Sequence, residues 1–229
     1  AAGAVLHAVC GDASGKGGHS CGEAVTRSTE ALYVPDGTGR DTPTIQQVES
    51  LKRYGATAIV GFADYVKRLA EAAVEAGLTP GVDIPMRMIS GHIDQEDKQA
   101  ISPAWGGAAV YDWYGLRDTG IIAGEWQATN GPYAWEDAHI VAMLDPETNA
   151  PVADGHAGNI CATCLFKTGV YPIVRFDTKA MSTLPPPDPA AGIGLRRMPG
   201  FHGCSHNLVT LPRINVCPPA IRAMPPPPP

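Results

Sequence analysis

No stretch of this sequence approaches the ~18 consecutive apolar residues that a membrane-spanning helix requires, and no charged segment leads into an apolar run in the manner of a secretory leader. A membrane partner is therefore not expected. Basic residues are in deficit: Lys and Arg total 17 against 23 Asp and Glu, a net charge of −6, and no basic cluster exists beyond pairs such as Arg196–Arg197. Nucleic acid, which is bound largely through cations on phosphates, is excluded as an expected partner. Six cysteines in 229 residues are too few for a disulfide scaffold, so reduced thiols and a cytoplasmic location are expected. The sequence has no HExxH or GxGxxG, which removes a zinc-protease helix and a dinucleotide fingerprint. Its 26 glycines follow no three-residue period, and no internal repeat is present. The chain opens at Ala1 rather than at Met, as expected of a processed chain or an excerpt of a longer one.

Thirteen of the 22 prolines lie from Pro185 onward, so residues 1–184 read as globular and the rest as looser. Thr42-Pro43 followed by Ile45, Val48, Leu51 and Tyr54 predicts a capped helix that ends at Gly55. The wholly apolar Thr57–Gly61 predicts a strand buried on both faces. Val66, Leu69, Ala73 and Ala76 predict a second helix over 63–76 with Gly77 after it, and Met86–Ser90 predicts another strand. This alternation implies an α/β unit with a parallel sheet. From Ala108 the pattern becomes a mostly antiparallel β region, with strands over 108–111, 139–144, 159–165 and 172–176 and turns at Asp145–Asn149 and Asp154-Gly155. Pro185–Pro189 reads as a linker and Pro225–Pro229 as a polyproline II tail.

Four groups of residues carry chemistry. In Cys10–Gly18, glycines free backbone N–H groups to face a phosphate and Lys16 adds positive charge, although the Walker spacing does not fit and a plain surface loop would have the same composition. Tyr111–Asp118 leaves the end of a strand, where open α/β sheets place ligands, though an ordinary strand exit would look the same. Cys161 and Cys164 have CxxC spacing, with His202, Cys204 and His206 downstream. In a strand, residues three apart face opposite ways, so small buried residues explain the CxxC better than zinc does. Glu136, Asp137 and His139 offer carboxylates for acid/base work or, more simply, a solvated loop.

Taken in order, these segments resemble the phenylacetate–CoA ligase branch of the adenylate-forming (AMP-forming) enzymes. Gly91-His92-Ile93-Asp94 stands where that family has Gly-Ala-Glu-Pro, and Tyr114-Gly115-Leu116-Arg117-Asp118 where it has Tyr-Gly-Leu-Ser-Glu. Tyr133–Asp137, Leu144–Asn149 and Asp154–Ile160 are similar to its Glu-Asp, Ile-Asp-Pro-x-Thr-Gly and Asp-Gly-Glu-x-Gly-Glu-Leu elements. Tyr171–Thr178 resembles Pro-x-Ile-Arg-Tyr-Arg-Thr-Gly-Asp, and His7–Gly17 resembles the Ser-Gly-Thr-Thr-Gly-Lys phosphate loop.

The resemblance implies a large-domain fold made of a parallel α/β part and an antiparallel β region, with the small C-terminal domain largely missing. It implies a nucleotide-binding part over 1–107, a mostly β part over 108–184, a proline-rich linker over 185–200, and a C-terminal remnant with its tail over 201–229. It also implies ATP, Mg²⁺ and coenzyme A as cofactors, an aryl or acyl carboxylic acid as substrate, and room for a homodimer or a complementing chain. Gly11, Ser14, Gly15 and Lys16 would cradle the phosphates, with Lys16 and Arg175 catalytic. Gly91, Tyr114 and Gly115 would line the adenine site, and Asp118 would bind magnesium. The family's ribose-binding Asp is Ala180 here, and its hinge reads Gly203–Asn207 without Arg or carboxylates. Between Thr26 and Ala31 the chain is shorter than the family's acid-pocket segment. A catalytically inactive relative serving as a binding or scaffolding module is the alternative.

Overall fold

The computed structural model describes residues 4–9, 30–37, 39–126, 131–204, 209–211 and 214–216. The chain divides into two compact units within one strand, the first reaching Trp113 and the second starting at Tyr114, with Trp126 counted in the first.

The first unit holds β1 (Val5–Ala8), β2 (Leu32–Pro35), α1 (Thr44–Arg53), β3 (Ala58–Phe62), α2 (Ala63–Glu75), β4 (Met88–His92), α3 (Gln95–Ala104) and the start of β5 (Ala109–Leu116). Its strands run in the order β2-β1-β3-β4-β5, every pair parallel. β3 buries Ala58, Ile59 and Gly61, with Val60 half-buried, and only its last residue, Phe62, is exposed. On α1 the three-residue spacing buries Val48 and Leu51, and Gly55 takes the left-handed conformation (φ 61°) that stops the helix. Thr42 does not cap α1 with its side chain; its carbonyl instead accepts from Gln47 Nε2 at 2.9 Å. α2 buries Val66, Leu69 and Ala73, and Gly77 (φ 76°) follows it.

Two features depart from the sequence expectation. β5 is parallel to β4 from Ala109 to Asp112, so the strand expected to open the antiparallel region belongs to the parallel sheet. The second is α3, a helix beyond the two that the apolar spacing predicts. Its one fully buried helical side chain is Ile101, so the 3.6-residue apolar signal is weak, and Pro103 sits in its last turn. The available signal was Asp94, whose Oδ1 accepts from Asp97 N at 2.8 Å, followed by Glu96 and Asp97 at the positive end of the helix dipole.

In the second unit, β6 (Gly120–Gly124) follows β5 through a turn and pairs antiparallel with β7 (Tyr133–Ala134). A separate antiparallel sheet has the order β11-β10-β9-β8, made of β8 (His139–Leu144), β9 (Ala157–Cys164), β10 (Phe176–Thr183) and β11 (Phe201–Cys204). β12 (Val209–Leu211) and β13 (Ile214–Val216) form a hairpin. β8 has the expected bounds. β10 begins at Phe176, where the strand expected over 172–176 was to end, because Arg175 adopts a left-handed φ of 49° that breaks extended structure. Ile122, Val141, Met143, Ile160, Ala162, Leu184 and Met198 form the core of this unit. Met198 thus packs inside, although it falls in the stretch expected to be linker.

Candidate functional site

In the first unit the carboxyl ends of the parallel strands lie where open α/β sheets bind ligands. β1 ends against β3, with Val9 N donating to Val60 O at 2.9 Å. Just beyond come Gly11, Ser14, Gly15 and Lys16, which lie outside the described residues. At the end of β4, Gly91 lies so close to β3 that a β-carbon would drive into the Gly61 carbonyl oxygen, so the backbone approach alone demands glycine here. The next residues are pinned to β5: Ile93 N donates to Asp112 Oδ1 at 3.0 Å, and His92 Nδ1 lies 3.3 Å from Trp113 O. Asp112 is nearly buried, a carboxylate that orders the loop after β4 rather than an exposed acid at a strand exit.

In the second unit, Tyr114 is buried and its ring is tilted against that of Phe201, with centroids 4.3 Å apart. Gly115 lies against Gly120 and Ile121, where a β-carbon would meet backbone atoms. The turn 117–119 then exposes the Arg117 and Asp118 side chains while Thr119 is fully buried. Lys167 Nζ donates to the Asp118 carbonyl oxygen.

Arg175 donates its backbone N–H to Thr163 Oγ1 at 2.9 Å. Beyond it, β10 shifts register against β9 between Asp177 and Met181. Lys179 sits in this bulge with φ 61°, a conformation that favours glycine, at the position matching the glycine of the resembled Arg-Tyr-Arg-Thr-Gly-Asp motif. Asp177 holds the bulge together. It accepts from Lys179 N at 2.9 Å, Lys179 Nζ at 2.6 Å and Asn159 Nδ2 at 3.3 Å. Burial alone would raise the Asp177 pKa, but these bonds outweigh it and hold the carboxyl below its ordinary value. Ala180, where the motif has a carboxylate, is buried opposite Cys204.

The remaining candidates have structural partners. Glu136 is not in a solvated loop: Arg196 Nε donates to Glu136 Oε1 at 2.9 Å, and the Arg196 backbone N–H to Oε2 at 3.2 Å. Two residues sixty positions apart give no local signal for such a pair. Cys161 and Cys164 are free and buried in β9, where desolvation pushes both thiols up, while the side chains of His202, Cys204 and His206 lie outside the described residues. No group of three or more metal-binding side chains occurs among the described residues. A cavity of about 130 Å³ beside Arg196, lined also by Met143, Val152 and Leu184, falls short of the roughly 300 Å³ at which ligand pockets begin. Among the described residues no helix is long and apolar enough to cross a membrane.

No protein-family model matches the chain. Curated relatives do. The phenylacetate–coenzyme A ligase of Aromatoleum evansii is 24% identical over 179 residues, covering 76% of this chain and 40% of the relative. That of Escherichia coli (strain K12) is 30% identical over 115 residues, covering 49% of this chain and 25% of the relative. Among solved structures, an open conformation of 2-hydroxyisobutyryl-CoA ligase with 2-HIB-AMP and CoA matches 97% of this chain and 53% of that one, with a TM-score of 0.85 at 22% identity. The fold is that of the adenylate-forming acid–CoA ligases. Within that class the curated relatives it resembles are phenylacetate–CoA ligases, at 24–30% identity over part of their length. It spans two fifths or less of the length of the curated relatives it matches.

Proposed function

We propose that the chain is the nucleotide-handling part of an AMP-forming acid–CoA ligase of the phenylacetate–CoA ligase type. One observation carries this reading. In the order β2-β1-β3-β4-β5 the winding reverses between β1 and β3, and the glycine- and lysine-bearing residues 11–16 follow the carboxyl end of β1. Ligands of open α/β sheets bind at that reversal, and clustered N–H groups with a lysine suit a triphosphate.

Gly11, Ser14 and Gly15 would hold the phosphates while the Lys16 ammonium offsets charge that grows as the α-phosphorus is attacked. Gly91, Tyr114 and Gly115 would border the adenosine, and Arg175 would supply a second cation. Mg²⁺, when bound, neutralises phosphate oxygens, and the exposed Asp118 carboxylate has the hard oxygen donors it takes. A carboxylate oxygen of the substrate acid forms its bond to the α-phosphorus as the bond to pyrophosphate breaks. The coenzyme A sulfur, its proton lost to solvent, then takes the acyl group and AMP leaves. The substrate is an aryl or acyl carboxylic acid.

The test is release of pyrophosphate from ATP by the full chain, followed across a panel of such acids. Acid-dependent release supports the reading. Nucleotide binding with no release under any acid leaves a binding module instead.

A further inference from the structure

The turn between β5 and β6 is gripped from the other sheet at two consecutive carbonyls. Lys167 takes that of Asp118. The carbonyl of Thr119 is met twice: His139 Nε2 lies 3.1 Å from it and Cys164 Sγ 3.4 Å from it. His139 and Cys164 are directly opposed in the β8–β9 ladder, so one cross-strand pair converges on one oxygen. A carbonyl only accepts, which places the imidazole proton on Nε2 and leaves Nδ1 bare; Nδ1 is buried and has no hydrogen-bond partner among the described residues. His139 is 1% exposed, and Phe166 closes over it edge-on, with ring centroids 5.4 Å apart at 86°.

A buried histidine with one nitrogen unpaired is costly as core filling. A leucine would serve a sheet interior better. The compensation is the bond to Thr119, one residue beyond the exposed Asp118 carboxylate. We infer that His139 and Cys164 are positioning residues that clamp the β5–β6 turn and thereby aim Asp118 at magnesium-bound nucleotide. The inference rests on the proposed function for the role of Asp118, and on geometry alone for the clamp. Groups that orient a metal ligand typically change metal affinity by about 10–100-fold when removed.

The test uses the full chain carrying His139→Leu with Cys164→Ala, and the donor-keeping pair His139→Gln with Cys164→Ser. In the ligand-free proteins, amide hydrogen exchange is compared between the peptide spanning the turn and the β3 peptide, which reports global folding. In the presence of ATP, binding is titrated with Mg²⁺. The clamp predicts about tenfold faster exchange in the turn only, together with an Mg²⁺ requirement raised about tenfold, both reversed in the donor-keeping pair. Unchanged exchange in the turn overturns the clamp. Faster exchange with an unchanged Mg²⁺ requirement overturns the positioning role, leaving the pair merely structural. Failure of the proposed function shows separately, as wild-type protein that binds no ATP at any Mg²⁺ concentration, and the aim at nucleotide falls with it.

Discussion

The interior of the first unit is mostly apolar: Leu51, Ile59, Leu69, Ile89, Ile101 and Trp105 are fully buried, and the helices α1–α3 supply half of these side chains. In the second unit His139, Asn159, Ser182 and Thr119 are buried among the apolar side chains, and side chains there repeatedly reach for backbone carbonyls. His139 and Cys164 take Thr119, Ser182 takes Gly200 at 2.6 Å, and Arg196 takes Val141 at 3.3 Å. Parallel strands joined by helices fix their own register through a continuous apolar interior, and the loop after β4 is held by the single Asp112 carboxylate. Antiparallel strands joined by long turns leave carbonyls to be satisfied one at a time. Substitutions in the first unit should therefore cost global stability, and those in the second should loosen particular loops.

The largest expected effect is in the first unit. Trp105 is 0% exposed and its Nε1 donates to Val66 O at 3.2 Å. Trp105→Ala is expected to cost roughly 4 kcal/mol, read from urea unfolding. A cost near zero would break the contrast. In the second unit Glu136→Ala removes the acceptor of Arg196, whose side chain is 20% exposed. The expected loss is about 2 kcal/mol. A double-mutant cycle with Arg196→Ala should show that the two losses are largely shared; simple additivity would mean the pair does not act as one.

The smallest effect sharpens the comparison from His7, one of the first unit's buried polar groups together with Gln47 and Asp112. Burial pushes the His7 imidazole below its ordinary value, an effect that Asp36, 3.3 Å away, opposes without cancelling. The folded chain thus binds this proton less readily than the unfolded one. The associated stability is fully present above about pH 6.5 and is lost as the pH falls below it. Thermal midpoints should drop on that descent, and His7→Gln should flatten the drop. An equal drop in both proteins would assign it to other groups.

Much of the first unit was legible because its signals are local. The apolar Thr57–Gly61 run and the Val66, Leu69, Ala73 spacing state strand and helix directly. β5 misled because its burial alternates, as in an antiparallel strand, while its partner β4 is parallel. The clamp on Thr119 was not legible at all: His139 and Cys164 become neighbours only through the β8–β9 register, and no sequence spacing encodes their common target. Gly91 and Gly115 stood out for a nucleotide, yet each also has a close backbone approach that requires glycine, so their presence alone does not separate the two causes.

The most direct measurement of the central claim is a calorimetric titration of the full chain with ATP in the presence of Mg²⁺, alongside Lys16→Ala. The proposed nucleotide-handling role predicts saturable heat in the wild type and at least about tenfold weaker binding in the variant, the loss of a charge-assisted contact to phosphate. No heat at millimolar ATP, or identical binding by Lys16→Ala, would contradict it.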